Sequence, residues 1–325
     1  MIEESLIKKR KKILEELGGL PQPKVQNREW LYLLEEETRN SIFIEGYFIS
    51  EKDLKKALSG NMSLTRTEEE ALNYFRTANF IYELAYENYK QKDFLFGIPL
   101  IRQINKSLGY SGDFRKKDVK IAGAKFIPPK HYLEEWTNIF VDFKADIVSE
   151  EELDFNLLSV SHSFFEEIHP FNDGNGRTGR ILLNYALVSK GYPIVIIKGS
   201  EKEKSRYYKG LEEIDSQNKA IFEKYKLEPP KVEELLQHLK SVNSIILKEI
   251  ILDNLRESLD TIIIGIYEKI GAQLKPVSDL LNEMGYSPSS SRQLIKRGKI
   301  IAVKRKNKWL STEKLIKKFA EIKIK

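Results

Sequence analysis

Apolar positions along this chain recur three and four apart over most of its length, the pattern of amphipathic helices. Leu6, Ile13, Leu14 and Leu17 define a first helix over 3–17, closed by Gly18-Gly19 and Pro21. Further helices are predicted over 28–42, 67–89, 153–168 and 177–189, and a long one over 231–257 after the turn Glu228-Pro229-Pro230. His169-Pro170 interrupts one helix, because the residue before a proline is pushed out of helical geometry, and Gly191 stops the next. One stretch departs from this pattern. Val119-Lys120-Ile121-Ala122, then Gly123-Ala124, then Lys125 to Ile127 read as two short strands around a turn. A lone hairpin cannot build a sheet core, so its edges are free to pair with another chain. The expected fold class is mainly α.

The C-terminal pattern is of a different kind. A helix over 276–284, a turn at Gly285 to Pro288 and a second helix over 289–297 lead into two strands about the turn Arg305-Lys306-Asn307-Lys308. Ser311 then stands as the N-cap of a last helix. This arrangement resembles a winged-helix or excisionase-like DNA-binding module. Charge changes the picture here. From Gly285 onward there are thirteen lysines and arginines against two acidic residues, a local +11 that leaves the remaining chain at −5 out of the total of +6. In such a module Ser289, Ser290 and Arg292 open the helix that meets base edges. Arg305, Lys306 and Lys308 would contact phosphates, making binding salt-dependent. The same basic face could instead be solvated surface, mediate protein contacts or dock on the acidic remainder. The expected division is a catalytic domain over 1–255 and a small domain over 256–325.

Composition excludes several chemistries. The chain has no cysteine, so a thiol nucleophile, a disulfide scaffold and a Cys-ligated zinc are out. Its four histidines lack a metal-ligand spacing. Charges run through the start where a signal peptide would be apolar. The longest apolar runs, near Ile194 to Ile197 and Ile262 to Ile264, fall far short of the roughly 20 residues that span a bilayer. A soluble, cytoplasmic protein without a membrane partner is expected.

The loop from His169 to Arg180 carries candidate chemistry. Gly174, Asn175 and Gly176 let the backbone turn and bring its N–H groups close to a ligand. A helix begins there, so its free N–H groups and positive dipole end make an anion site. Arg177 and Arg180, three apart, share a helix face and can fork onto phosphate oxygens. Asp173 offers a hard oxygen beside that anion, as Mg²⁺ on two phosphates requires. His169 has a reference pKa near 6.5, suited to a general base. Together these groups describe in-line attack on a polyphosphate.

The stretch is similar to the signature of the Fic (filamentation-induced-by-cAMP) family, HPF-x-(D/E)-GNGR-x-x-R, and matches every fixed position. The resemblance implies transfer of AMP from Mg·ATP to Tyr, Thr or Ser hydroxyls of a protein. It makes His169 the base and Asp173 the Mg²⁺ ligand. Asn175 and the Gly174 to Gly176 backbone would cradle the phosphates, with Arg177 and Arg180 on the β- and γ-phosphates and Phe171 anchoring the loop. Gly112-Asp113-Phe114-Arg115, followed by Val119 to Gly123, looks like the family's approach to a flap that clamps the target by strand addition. Tyr207-Tyr208 and Leu211 resemble the segment lining the nucleotide pocket. The likeness spans roughly residues 30 to 225.

Ser41-Ile-Phe-Ile-Glu45-Gly46 resembles the family's inhibitory motif, expected on a helix at about 36–50. Its serine and glutamate share a helix face, and the resemblance pairs the glutamate with Arg180, where it would repel the incoming triphosphate. Two alternatives stand beside AMP transfer: a hydrolase that removes AMP, using Glu45 to align water, and a DNA-binding regulator with a nucleotide-sensing site. Self-modification on one of fifteen tyrosines and a homodimer are both open.

Overall fold

The computed structural model describes residues 3–60, 63–120 and 127–322. Its helices are α1 (Glu4–Glu16), α2 (Arg28–Ile44), α3 (Glu51–Leu58), α4 (Arg66–Gln91), α5 (Ile98–Ser107), α6 (Leu133–Ser149), α7 (Phe155–Ile168), α8 (Asn175–Ser189), α9 (Glu201–Lys224), α10 (Val232–Ser241), α11 (Ile246–Lys269), α12 (Val277–Glu283), α13 (Pro288–Lys296) and α14 (Glu313–Glu321). Helix α8 is the axis of the body. Its residues are buried on all sides except at Gly176, which is how an apolar helix in a core must sit. It packs against α2, α4, α5, α6 and α7.

Local chemistry explains several boundaries. Asp154 accepts from the N–H groups of Asn156 and Leu157, so the helix expected from residue 153 begins at Phe155. Thr65 and Glu68 close a capping box at the start of α4. The single helix expected over 231–257 is two helices, broken at Val242 to Ile245 without a glycine or proline. Distant side chains hold the break. Asn156 donates to the Val242 carbonyl at 2.8 Å and accepts from the Ser244 N–H at 2.7 Å. Glu213 accepts from the N–H groups of Ile245 and Ile246, capping α11 from another helix. Helix α11 then runs straight through 255–256, where the domain division was expected, and ends at Lys269, with Ile270 as C-cap before Gly271 at φ +86°.

Three short strands, β1 (Lys275–Pro276), β2 (Val303–Arg305) and β3 (Lys308–Ser311), form an antiparallel sheet in the order β1-β3-β2. With α12, α13 and α14 they enclose a second small core of Val277, Leu280, Leu281, Ile300, Ala302 and Ile316. The expected strand pair about Arg305 to Lys308 is therefore present, with β1 added to it. Arg10 ties this unit to the body. Its guanidinium donates to Asp260 at 2.6 Å and to the Ile300 carbonyl at 2.9 Å. No helix of the described residues is long and apolar enough to cross a membrane.

Candidate active site

Helix α7 ends at His169, which takes a left-handed conformation at φ +48°. A non-glycine residue is held there only by its surroundings. Arg115 provides the hold: it donates to the carbonyls of His169 at 2.7 Å, Ile168 at 3.3 Å and Pro129 at 2.6 Å. The Arg115 N–H also bonds the Pro170 carbonyl, and Phe114 bridges to Phe171. Phe171 is buried as expected, its ring 5.7 Å from that of Phe114. His169 Nδ1 lies 3.2 Å from the Glu166 carbonyl. A carbonyl only accepts, so Nδ1 carries the proton and Nε2 keeps the basic lone pair. Burial lowers the His169 pKa below its ordinary value, keeping the ring neutral at neutral pH.

The loop after His169 is pinned from below. Asn175 lies inside it, its amide oxygen accepting from the Phe171 N–H at 2.9 Å and its NH2 donating to the Phe171 carbonyl at 2.8 Å. The Asn175 side chain, expected on phosphate, thus fixes the loop, because a turn of this tightness leaves both Phe171 backbone groups in need of partners. Asn105 donates to the Asp173 carbonyl at 2.9 Å. Gly174, at φ +78°, opens α8, and no side chain caps the helix among the described residues. The N-terminal N–H groups of a buried helix are thereby presented to the loop as an anion cradle.

The two arginines diverge. Arg177 pairs with Glu70 of α4, lies 3.5 Å from Asp173 and sits 5.0 Å over the Tyr110 ring. Arg180 faces α2. Its Nε donates to the Ser41 hydroxyl at 2.6 Å, and its Nη2 to the Ser41 carbonyl at 3.0 Å and to Glu45 at 2.6 Å. The Glu45 carboxylate lies directly over the cradle: a Cβ added at Gly176 would stand 2.6 Å from Glu45 Oε1. Burial opposes its charge, yet Arg180, Arg177 and Lys204 together hold its pKa below the usual carboxylate value. Lys204 of α9 also donates to the Ile44 carbonyl at the end of α2, and Gly46 follows at φ +91° with open space around it. Tyr208 is half-exposed, and Glu45 and Arg180 act on its hydroxyl electrostatically. Tyr207 is buried, bonded to His162 at 2.8 Å.

Asp173 is exposed at the rim. No group of three or more acidic, histidine or cysteine side chains gathers as a metal cage among the described residues. A single carboxylate beside an anion cradle fits a cation that draws its other ligands from phosphates and water. Of the predicted flap, Val119 and Lys120 lie in irregular chain, while Ile121 and Ala122, within 121–126, lie outside the described residues. In the C-terminal unit Ser289 and Ser290 occupy the first turn of α13, with both hydroxyls bonded to Ser287, and Arg292 opens the second turn. Lys306 and Lys308 are exposed. Arg305 differs from its expected role: both its Nη atoms bond Glu268 of α11, at 2.6 and 2.7 Å, because the hairpin lies against that helix.

A helical body whose buried central helix opens on a glycine-rich anion loop beside a neutral histidine has the layout of a nucleotidyl-transfer site. A Fic/DOC family model matches residues 96–187. A probable protein adenylyltransferase of Aquifex aeolicus (strain VF5) is 32% identical over 299 residues, covering 89% of this chain and 88% of that protein. The protein adenylyltransferase Fic of Drosophila willistoni is 36% identical over 105 residues, 30% of this chain but 19% of the fly protein. Among solved structures, a Fic domain containing signaling protein from Bacteroides thetaiotaomicron matches with a TM-score of 0.62 at 21% identity, over 83% of this chain and 98% of that one. Fic-1 from C. elegans matches with a TM-score of 0.53 at 18% identity, over 82% of this chain and 72% of that one. At those identities the two structures speak for the fold alone. The chain belongs to the Fic/DOC family, and it is an enzyme of the nucleotidyltransferase class.

Proposed function

We propose that this chain transfers AMP from ATP to a hydroxyl of a target protein, and that Glu45 restrains the reaction. The observation that carries the reading is the placement of a neutral His169, its Nε2 without a hydrogen-bond partner among the described residues, at one edge of the cradle whose other edge is Arg180. Nε2 accepts the proton of the target hydroxyl as its oxygen attacks the α-phosphorus. The bond from that phosphorus to the α–β bridging oxygen breaks, and pyrophosphate leaves. The N–H groups at the start of α8 hold the phosphates, and Arg180 would hold the γ-phosphate once freed of Glu45. Asp173 would hold Mg²⁺, which supplies charge neutralisation on the leaving pyrophosphate.

With Glu45 over Gly176 and paired to Arg180, a triphosphate meets a carboxylate where its own charge must go. The test uses ATP radiolabelled on its α-phosphate, with wild type, Glu45→Gly and Glu45→Gly/His169→Ala, alone and with cell lysate. Label retained on protein in Glu45→Gly, weak in wild type and absent in the double variant is expected. Equal label in all three would refute both the base and the brake. Label released from an adenylylated target by wild type, and not by Glu45→Gly, would favour AMP removal instead.

The exposed basic side chains of α13 and the hairpin, Arg292, Lys306 and Lys308 among them, support a second and separate role in duplex DNA binding. A salt-sensitive gel shift of the full chain, weakened by Lys306→Glu/Lys308→Glu, is expected. No shift at low salt would end that reading.

A further inference from the structure

Arg177 is a cation of the loop that the reaction as written above does not use. Its side chain is 3% exposed, so little of the guanidinium faces a ligand, and its cover is built into the body. Glu70, which pairs with its Nη1, lies in the second turn of α4, directly before the buried Ala71 and Leu72. The guanidinium sits 5.0 Å over the Tyr110 ring, and the Tyr110 hydroxyl donates to the same Glu70 oxygen at 3.4 Å. That ring also packs on the loop, since a Cβ added at Gly174 would stand 2.5 Å from it. Arg180, by contrast, is covered by a carboxylate at a helix end with open space beyond it.

The far side of the guanidinium faces Asp173. Nη1 is hydrogen-bonded to Glu70, but Nη2 stands 3.5 Å from Asp173 Oδ1, too far for a strong bond. Asp173 Oδ1 accepts instead from the Gly174 N–H at 2.6 Å. Its other oxygen, Oδ2, has no partner among the described residues, and the side chain is 67% exposed at the rim. Glu70, Arg177 and Asp173 thus stand in a row, two negative charges about one positive. Without Glu70, the carboxylate nearest to the guanidinium is Asp173. A full ion pair there would neutralise Asp173 where a hard cation needs its charge.

We propose that Glu70 is a positioning residue: it engages Arg177 and so keeps Asp173 open to the divalent cation that accompanies the nucleotide. Arg177 then neutralises Glu70 and does not grip a phosphate, a task left to the α8 N–H groups and Arg180. The proposal rests on the reading of Asp173 as the Mg²⁺ ligand.

The test reads nucleotide binding instead of transfer, by calorimetry with α,β-methylene-ATP, whose α–β bridge is not cleaved. Each full-length protein carries Glu45→Gly, so that Arg180 is open, and is titrated in EDTA and in saturating Mg²⁺. Glu70→Gln should bind the analogue in EDTA no more weakly than the parent, because a negative charge has been removed. Its tightening by Mg²⁺ should be smaller than the parent's by about tenfold, as for the loss of a group that supports a metal ligand. Adding Arg177→Gln to Glu70→Gln should restore the tightening, because the competing cation is gone. Arg177→Gln alone should keep the tightening and most of the EDTA affinity, whereas Arg180→Gln should lose most of that affinity.

An unchanged Mg²⁺ effect in Glu70→Gln, or a double variant as poor as the single one, overturns the proposal. So does a large loss of EDTA affinity in Arg177→Gln, which makes that arginine a phosphate ligand; this comparison decides even where Glu70→Gln does not fold. A parent that binds nucleotide but ignores Mg²⁺ refutes Asp173 as the ligand, and the proposal with it. A parent that responds to Mg²⁺ and is matched by Glu70→Gln refutes the proposal alone.

Discussion

Two arginine–carboxylate pairs in this molecule have the same chemistry and the same 2.6 Å contact, and they sit in opposite circumstances. Arg10 is fully buried among α1, α11 and the C-terminal unit. Its guanidinium bonds Asp260, the Leu6 carbonyl and the Ile300 carbonyl, and lies 4.7 Å over the Phe319 ring. Nothing there can be exchanged without opening the junction. Arg180 is as deeply buried, but its partner is not: the Glu45 side chain is 30% exposed and caps the end of a helix, with open space beyond Gly46. One pair is a joint and the other has the build of a latch. The difference lies in how many of the partners solvent, or another anion, can reach.

The sharpest test of that contrast breaks the joint. Arg10→Met leaves Asp260 buried without its cation and should cost about 3–5 kcal/mol of stability in denaturant unfolding, while labelling per folded molecule in the Glu45→Gly background stays unchanged. Opening the latch should do the reverse. Glu45→Gly removes a charge-assisted bond of about 1.5–3 kcal/mol, so labelling should rise roughly 10- to 100-fold, with a smaller stability loss than Arg10→Met. If Glu45→Gly destabilises as much as Arg10→Met, the two pairs are the same kind of contact. Ser41→Ala removes the hydroxyl on Arg180 Nε and retains Glu45; a bond of about 1 kcal/mol implies labelling raised several-fold.

The smallest expected effect is that of pH on the latch. Because the folded pKa of Glu45 is depressed, its contribution is present above the ordinary carboxylate value and lost only as pH falls through the lower folded one. Mild acid should therefore leave wild type restrained. In Glu45→Gly, the acid limb of kcat/KM should lie below the ordinary histidine value near 6.5, since burial keeps His169 unprotonated to lower pH. A limb above that value would remove His169 as the base.

The loop and its counterpart on α2 were legible because each is a short local string, His169 to Arg180 and Ser41 to Gly46, in which spacing alone sets which face is shared. The supports were not. Arg115 was visible as part of the approach to the flap, but its grip on the His169 carbonyl depends on a fold that brings residues 54 apart into contact. Glu70 lies in an ordinary charged stretch of α4, and nothing near it in sequence announces Arg177. Lys204 on the end of α2 is equally silent. The break between α10 and α11 carries no breaker residue, because Asn156 and Glu213 supply its hydrogen bonds from elsewhere. Arg305 read as an outward cation since charge is counted along the chain, while Glu268 meets it across the junction.

Gly176 sets a condition on how such a protein can drift. A methyl group there would push Glu45 aside, but it would also stand in the cradle that the phosphates need. Any larger residue at 176 therefore loosens the restraint and damages the reaction in the same step. A lineage that becomes unrestrained while staying active has to change on the α2 side, in the short stretch from Ser41 to Gly46, where a single codon suffices. Reversion is as short a path, so the restraint can be lost and regained without rebuilding the catalytic loop.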